Sequence, residues 1–236
     1  MNKADLYLGD CYKLLPTLIK KGIKVDLILT DPPYEFHTQG GYTGAFAKRR
    51  DNKRLAIENL SKSFDFKIFK LFKEICPSQN YLIWCSNKQI SRLMSYFEKQ
   101  NLNVTLLVWY KPNSMPLGNW AYISDLEFCV FVRGQKAHWN NKLPANMKSK
   151  HFTCGVNFSE VRYHPTQKPI AIMDRLINLH SFKDDTILDC FMGSGSTGVS
   201  AVKNGRNFIG IEQNEKYYEI AQQRINAENN QTRLFV

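Results

Sequence analysis

The stretch 186–212 constrains the fold most. Residues 186–190 form a short apolar run of strand length. Phe191-Met-Gly193-Ser-Gly195-Ser-Thr197-Gly198 follows as a glycine-rich turn into a helical segment around 199–203. Residues 207–211 are again apolar and end at Glu212. Two strands joined through a helix make a βαβ unit, which imposes a parallel sheet with helices on its faces. The same alternation fills the chain. Residues 4–8 predict a strand that stops at Gly9-Asp10-Cys11, then a helix with Leu14, Leu15, Leu18 and Ile19 on one face. A strand at 25–30 precedes a helix over 64–75 that ends before Pro77. A strand at 81–85 leads through Ser86, a plausible N-cap, to a helix carrying Ile90, Leu93, Met94 and Phe97. Strands at 104–110 and 127–132 follow, then a helix with Ile170, Ile172, Met173, Leu176 and Ile177, with Pro169 near its first turn. The last helix starts at Asn214. The fold class is α/β, a doubly wound, mostly parallel sheet.

Two places in that frame carry chemistry. The first is the glycine turn. Glycines let the backbone approach a ligand closely, and the helix N-terminus supports a negative group. With Asp189 before the turn and Glu212 after the next strand, the pattern is that of a nucleoside cofactor. Glu212 can accept hydrogen bonds from two ribose hydroxyls. No Gly-Lys-Ser/Thr follows the turn, so it is not a phosphate loop. That tilts the reading towards a nucleoside without a pyrophosphate. The second place is Asp31-Pro32-Pro33-Tyr34, which closes the strand at 25–30. Pro32 pushes Asp31 into an extended conformation. Pro33 fixes its own φ and has no N–H, which leaves the Pro32 carbonyl out of a local turn bond. The result is a stiff hook presenting a carboxylate, a backbone acceptor and a ring.

Composition bounds the partners. The 236 residues suit one domain, 1–236. Lys+Arg exceed Asp+Glu by 32 to 21, a formal charge of +11 that favours a polyanionic partner. Six scattered cysteines form no C-x-x-C pair, which argues against a zinc site and a disulfide frame and fits a reducing compartment. With no signal peptide and no long apolar span, the expected location is the cytoplasm, with no membrane partner.

These motifs together resemble the amino-group DNA methyltransferases that use S-adenosylmethionine. Asp31-Pro-Pro-Tyr34 looks like their catalytic motif, and Asp189-Cys-Phe-Met-Gly-Ser-Gly195 like their cofactor motif. His164-Pro-Thr-Gln-Lys-Pro169 resembles the segment before the latter. The catalytic motif precedes the cofactor motif, which is the circular permutation called the β class. Ser196 stands where threonine is common, and Glu35 where asparagine often follows the tyrosine.

The resemblance implies a Rossmann-like, seven-stranded sheet with one antiparallel strand. Its spatial order is 5–8, 207–211, 186–190, 25–30, 81–85, 127–132, 104–110. It implies methyl transfer from S-adenosylmethionine to N6 of a flipped-out adenine in DNA. Asp31 and the Pro32 carbonyl would each accept an N–H, Pro33 would stiffen the hook, and Tyr34 would stack on the base. The cofactor would be held by Asp10, Cys11, Asp31, Thr166, Lys168, Asp189, Phe191, Gly193, Ser194, Gly195, Ser196, Thr197 and Glu212. Lys168 would pair with the methionine carboxylate or support its loop. Asp189 would order the turn, and His164 would be structural. No metal is implied. The resemblance leaves room for a homodimer and for a cognate restriction endonuclease. Cytosine-N4 methylation is the first rival; members with that specificity more often carry serine at position 31. A cytosine-C5 mechanism needs a cysteine nucleophile, usually after proline, and no Pro-Cys occurs. A non-catalytic DNA-binding module of the same fold is the other rival.

The basic segment 35–63, with Gly40, Gly41, Gly44 and Lys48-Arg49-Arg50, reads as a mobile loop on the target side. By the same resemblance, the segment 133–163 corresponds to the family's target-recognition region, as a short insertion. There Lys136, His138, Lys142, Lys148, Lys150 and His151 could meet phosphates or base edges. Trp120, Trp139 and Phe152 are either wedges or a small core.

Overall fold

The computed structural model describes residues 3–33, 64–114, 122–155 and 167–233. Its strands are β1 (Ala4–Leu8), β2 (Leu27–Thr30), β3 (Asn80–Cys85), β4 (Asn103–Tyr110), β5 (Leu126–Arg133), β6 (His151–Thr153), β7 (Thr186–Asp189) and β8 (Asn207–Glu212). Its helices are α1 (Cys11–Lys20), α2 (Ile68–Ile75), α3 (Ile90–Glu98), α4 (Ile170–His180), α5 (Ser196–Lys203) and α6 (Glu215–Arg233). The sheet order is β1-β8-β7-β2-β3-β5-β4-β6.

Seven of these strands stand in the expected order. The antiparallel one is β5, which runs against both β3 and β4. The eighth, β6, lies parallel to β4 at the edge and was not anticipated. Three residues, of which only Phe152 is buried, are too short to carry a two-residue period.

Alternation along the strands divides the core into two layers. In β2, Ile28 faces one layer and Leu27 and Leu29 the other. The first is covered by α1, α2 and α3 through Leu15, Leu18, Phe72, Leu93 and Phe97. The second is covered by α4, α5 and α6 through Leu176, Ile177, Val202 and Ile225. Each such side chain stabilises the fold by about 1.5–3 kcal/mol through burial.

Local signals at the helix starts differ from expectation in one place. Ser86 is not the cap of α3. The helix begins at Ile90, and the Gln89 Oε1 accepts from both the Ser86 N–H and its hydroxyl, at 2.9 Å each. A turn therefore separates β3 from α3, closed by a glutamine side chain reaching backwards. Pro169 takes the N-cap position of α4, just ahead of its first turn. All six cysteines are free thiols, five of them buried. Among the described residues, no helix is long and apolar enough to cross a membrane.

Candidate active site

The chain leaves β7 towards β8 and leaves β2 towards β3, so its winding reverses between β7 and β2. In such sheets ligands bind outside the carboxyl ends of the strands at that reversal. The register Leu27↔Ile187 and Ile28↔Leu188 carries Asp31 to the level of the turn that begins at Cys190. On the other side Asp189 pairs with Gly210, and Leu8 with Glu212. Residues 9–11, Glu212, the glycine turn and Asp31 thus gather along one edge of the sheet, although they are far apart in sequence.

The glycine turn is held by Asp189, which is 2% exposed. One carboxylate oxygen accepts from the Thr30 hydroxyl at 2.7 Å and from the Phe191 N–H at 3.1 Å. The other accepts from the Thr197 hydroxyl at 2.7 Å. One side chain therefore ties β2, the turn and α5 together. Burial pushes its carboxyl up to about 6, against the pull of those donors. Gly193 and Gly195 both lie in the left-handed region, with φ of +51° and +82°. A Cβ on Gly195 would stand 2.9 Å from the Cβ of Ala221, so α6 packs directly on the turn. Glu212 accepts from the Gly193 N–H at 2.9 Å and the Asn214 N–H at 2.8 Å, and burial raises its carboxyl above the ordinary value.

The remaining cofactor-side residues fall around this turn. Ser196, at the first position of α5, has a buried hydroxyl with no hydrogen-bond partner among the described residues. Ser194 donates to Gln167, and its carbonyl accepts from Arg224. That links the segment before α4, the turn and α6. Asp10 caps α1 by accepting from the Tyr12 N–H at 2.9 Å. Cys11 is buried, which pushes its thiol up to about 12. The Phe191 ring lies 6.5 Å from that of Phe64. Thr166 lies outside the described residues.

On the catalytic side, Lys168 meets the hook. Its ammonium reaches the Asp31 Oδ2 at 2.5 Å and the Glu127 Oε2 at 3.2 Å. The structure therefore places its ammonium against the hook. Glu127 in turn holds Lys111 at 3.2 Å. Burial alone would lower the Lys168 ammonium, but the two carboxylates keep it above its ordinary value. Burial alone would raise Glu127, and the two ammoniums pull it below. The role of Glu127 had one faint signal in the sequence, an acid between Leu126 and Phe128 at the start of an apolar strand. The positions of Tyr34, His164, the 35–63 segment and Trp120 lie outside the described residues.

The target-side insertion is partly a small core. Trp139 packs between Phe131, at 6.3 Å between ring centroids, and His180, at 5.3 Å. Phe152 is buried under the Arg175 guanidinium, 4.5 Å from its ring. Neither ring is an exposed wedge. His138 is bound to Asp185 at 2.7 Å, and Lys148 donates to the Asn141 carbonyl, which removes both from the freest candidates for a phosphate. Lys136, Lys142, Lys150 and His151 remain exposed. Arg175 donates to the carbonyls of Met147 and Ser149, stapling the insertion to α4.

This is the Rossmann-like fold of a methyltransferase, with Asp31 and the glycine turn at the expected reversal. The chain belongs to the DNA methylase family of N6/N4 methyltransferases, which matches residues 25–223. The order of its motifs, hook before glycine turn, is that of the β class. The chain is 30% identical to the Type II methyltransferase M2.DpnII of Streptococcus pneumoniae, across 97% of this chain and 91% of that protein. It is 29% identical to the Type II methyltransferase M2.MboI of Moraxella bovis, across 93% and 86%. Among solved structures it resembles the M1.HpyAVI complex with S-adenosylmethionine. There the TM-score is 0.72 and the identity 28%, over 94% of this chain and 99% of that one. The cytosine-N4-specific PvuII DNA methyltransferase shares the fold, with a TM-score of 0.65 at 14% identity over 98% and 93%.

Proposed function

We propose that this DNA methyltransferase moves the methyl group of S-adenosylmethionine to N6 of a flipped-out adenine. The observation that carries the reading is the meeting of Asp31 with the glycine turn across the β2–β7 reversal. The residues beside the turn suit the cofactor. Glu212 keeps lone pairs for ribose hydroxyls beside its two backbone donors, and the buried Ser196 hydroxyl has no partner among the described residues. Asp10, Cys11, Phe191, Gly193, Ser194, Gly195, Thr197 and, outside the described residues, Thr166 complete the proposed cradle, with Asp189 fixing the turn. When bound, the cofactor supplies an electrophilic methyl on a sulfonium centre.

The chain's own residues supply alignment and electrostatics. An exocyclic amine is a poor nucleophile because its lone pair is delocalised into the ring. Asp31 and the Pro32 carbonyl each accept one N–H, which favours a pyramidal nitrogen with its lone pair aimed at the methyl. Pro33 keeps the hook stiff. Tyr34 stacks on the extruded base, worth about 1–3 kcal/mol. A carboxylate at position 31, where cytosine-N4 members more often carry serine, favours adenine. Exposed Lys136, Lys142, Lys150 and His151 and the basic 35–63 segment supply the DNA-facing side of a single domain. The Type II names of the relatives favour a cognate restriction endonuclease as the companion activity.

The test is transfer of labelled methyl to unmethylated genomic DNA by the wild type and by Asp31→Ala. The variant is expected to lose turnover by at least about a hundredfold, the scale on which one preorganised polar contact acts. It should keep most of its affinity for S-adenosylmethionine. Wild-type turnover in Asp31→Ala contradicts the mechanism.

A further inference from the structure

We propose that Lys168 and Glu127 are positioning residues for the reaction: Lys168 holds the Asp31 carboxylate ionised and in one orientation, and Glu127 holds Lys168. The inference rests on reading Asp31 as the acceptor for the substrate amine.

The geometry is a chain of alternating charge. Asp31, Lys168, Glu127 and Lys111 follow one another at 2.5, 3.2 and 3.2 Å. They come from four places: the end of β2, the segment before α4, the start of β5 and the residue after β4. The Lys168 side chain is only 3% exposed. A buried ammonium is costly unless it is paired and hydrogen-bonded. Two of its contacts are the carboxylates, and the face of the Trp84 ring, 5.1 Å from the nitrogen, closes another side. Glu127 could neutralise Lys168 alone. The third member is the carboxylate of the hook, and that is what points to function.

Asp31 can accept an amine N–H only as a carboxylate, because a protonated acid presents a donor. Its surroundings disfavour the charge: Asp189 is a second acid nearby, and buried Cys85 and Cys129 line the same region. Both thiols are pushed up by burial, to about 12 for Cys85, and stay neutral across the working range. Lys168 is the compensating cation. Contact with one carboxylate oxygen also stops the group from rotating, which fixes where its remaining lone pairs point. Lys111, on the far oxygen of Glu127, holds that acid in place and balances the charge of the chain.

The two residues should move the pH–rate profile in opposite directions. The experiment measures single-turnover methyl transfer to unmethylated genomic DNA from pH 5 to 9, for wild type, Lys168→Met, Glu127→Gln and the double variant. Calorimetric binding of S-adenosylmethionine reports folding of each. Removing the cation favours protonated Asp31, so the acid limb of Lys168→Met should rise by about one to three pH units. Removing the anion takes away a like charge, so the limb of Glu127→Gln should fall, by less because Glu127 acts from behind Lys168. The double variant should lie between the two. Limbs that stay at the wild-type position, or that move together while cofactor affinity drops, overturn the proposal and leave the chain a structural ion pair. If Lys168→Met does not fold, Glu127→Gln decides alone: a fallen limb supports the proposal and an unmoved one overturns it. A dead Asp31→Ala with unmoved limbs removes only this inference, whereas an active Asp31→Ala removes the reading beneath it.

Discussion

Replacing Asp189 by asparagine should change how stability depends on pH. Asp189 is buried, and its carboxyl sits at about 6 in the folded protein against an ordinary 3.8. Burial is the main cause, partly offset by the Thr197 and Thr30 hydroxyls and the Phe191 N–H. The folded-state value is raised, so the native protein holds this proton more tightly than the unfolded chain does. The associated stability is complete below about pH 4 and is lost as pH rises through about 6. At about 1.4 kcal/mol per pH unit, the loss by pH 7 is about 3 kcal/mol. Asparagine has nearly the same shape and no charge to desolvate. Its amide oxygen can keep the Thr30 and Phe191 donors, while its NH2 donates to Thr197 in place of accepting from it. Urea unfolding followed by tryptophan fluorescence at pH 4, 5.5 and 7 gives the difference between variant and wild type, in which the other titrating groups largely cancel. That difference should move in favour of the asparagine variant by about 2.5 kcal/mol from pH 4 to pH 7. A difference constant within about 0.5 kcal/mol refutes the desolvation argument, because a single interaction lost at all pH values would give that result. Asp189→Ala should behave otherwise, with lower stability at every pH, because it strands two hydroxyls and an N–H at about 1–3 kcal/mol each.

Two further outcomes follow from the same geometry. Gly195→Ala must adopt a φ of +82° and bring a Cβ to 2.9 Å from that of Ala221. Left-handed strain and overpacking together should cost about 2–5 kcal/mol in denaturant unfolding, and wild-type stability would contradict the packing of α6 on the turn. Arg175→Ala removes the guanidinium that holds the Met147 and Ser149 carbonyls and covers Phe152. It should weaken DNA binding several-fold while leaving S-adenosylmethionine binding intact, and equal loss of both would argue against a target-side role for the insertion.

Much of the fold was legible because its signals are local. The strands at 81–85 and 207–211 are apolar runs bounded by turn residues, and the helices show one apolar face. The ligand edge was legible for the same reason, since Asp31 and the glycine turn each end a strand and doubly wound sheets align such ends. What escaped depends on distant pairing. Lys168 and Asp31 are 137 residues apart, and nothing beside either announces the other. Arg224 reaches the Ser194 carbonyl from a helix whose pattern only says which face is buried. Trp139 and Phe152 looked equally suited to a wedge or a core, because an aromatic side chain in a polar segment does not reveal what lies beneath it. The edge strand at 151–153 exists because β4 offers it a ladder.

The central claim is the acceptor atom. Unmethylated genomic DNA incubated with the enzyme and S-adenosylmethionine, then digested to nucleosides and separated by chromatography with mass detection, reads it directly. The account predicts N6-methyldeoxyadenosine as the product. N4-methyldeoxycytidine would contradict the adenine assignment that rests on Asp31, and no methylated nucleoside on duplex or single strands would contradict the catalytic reading of the site.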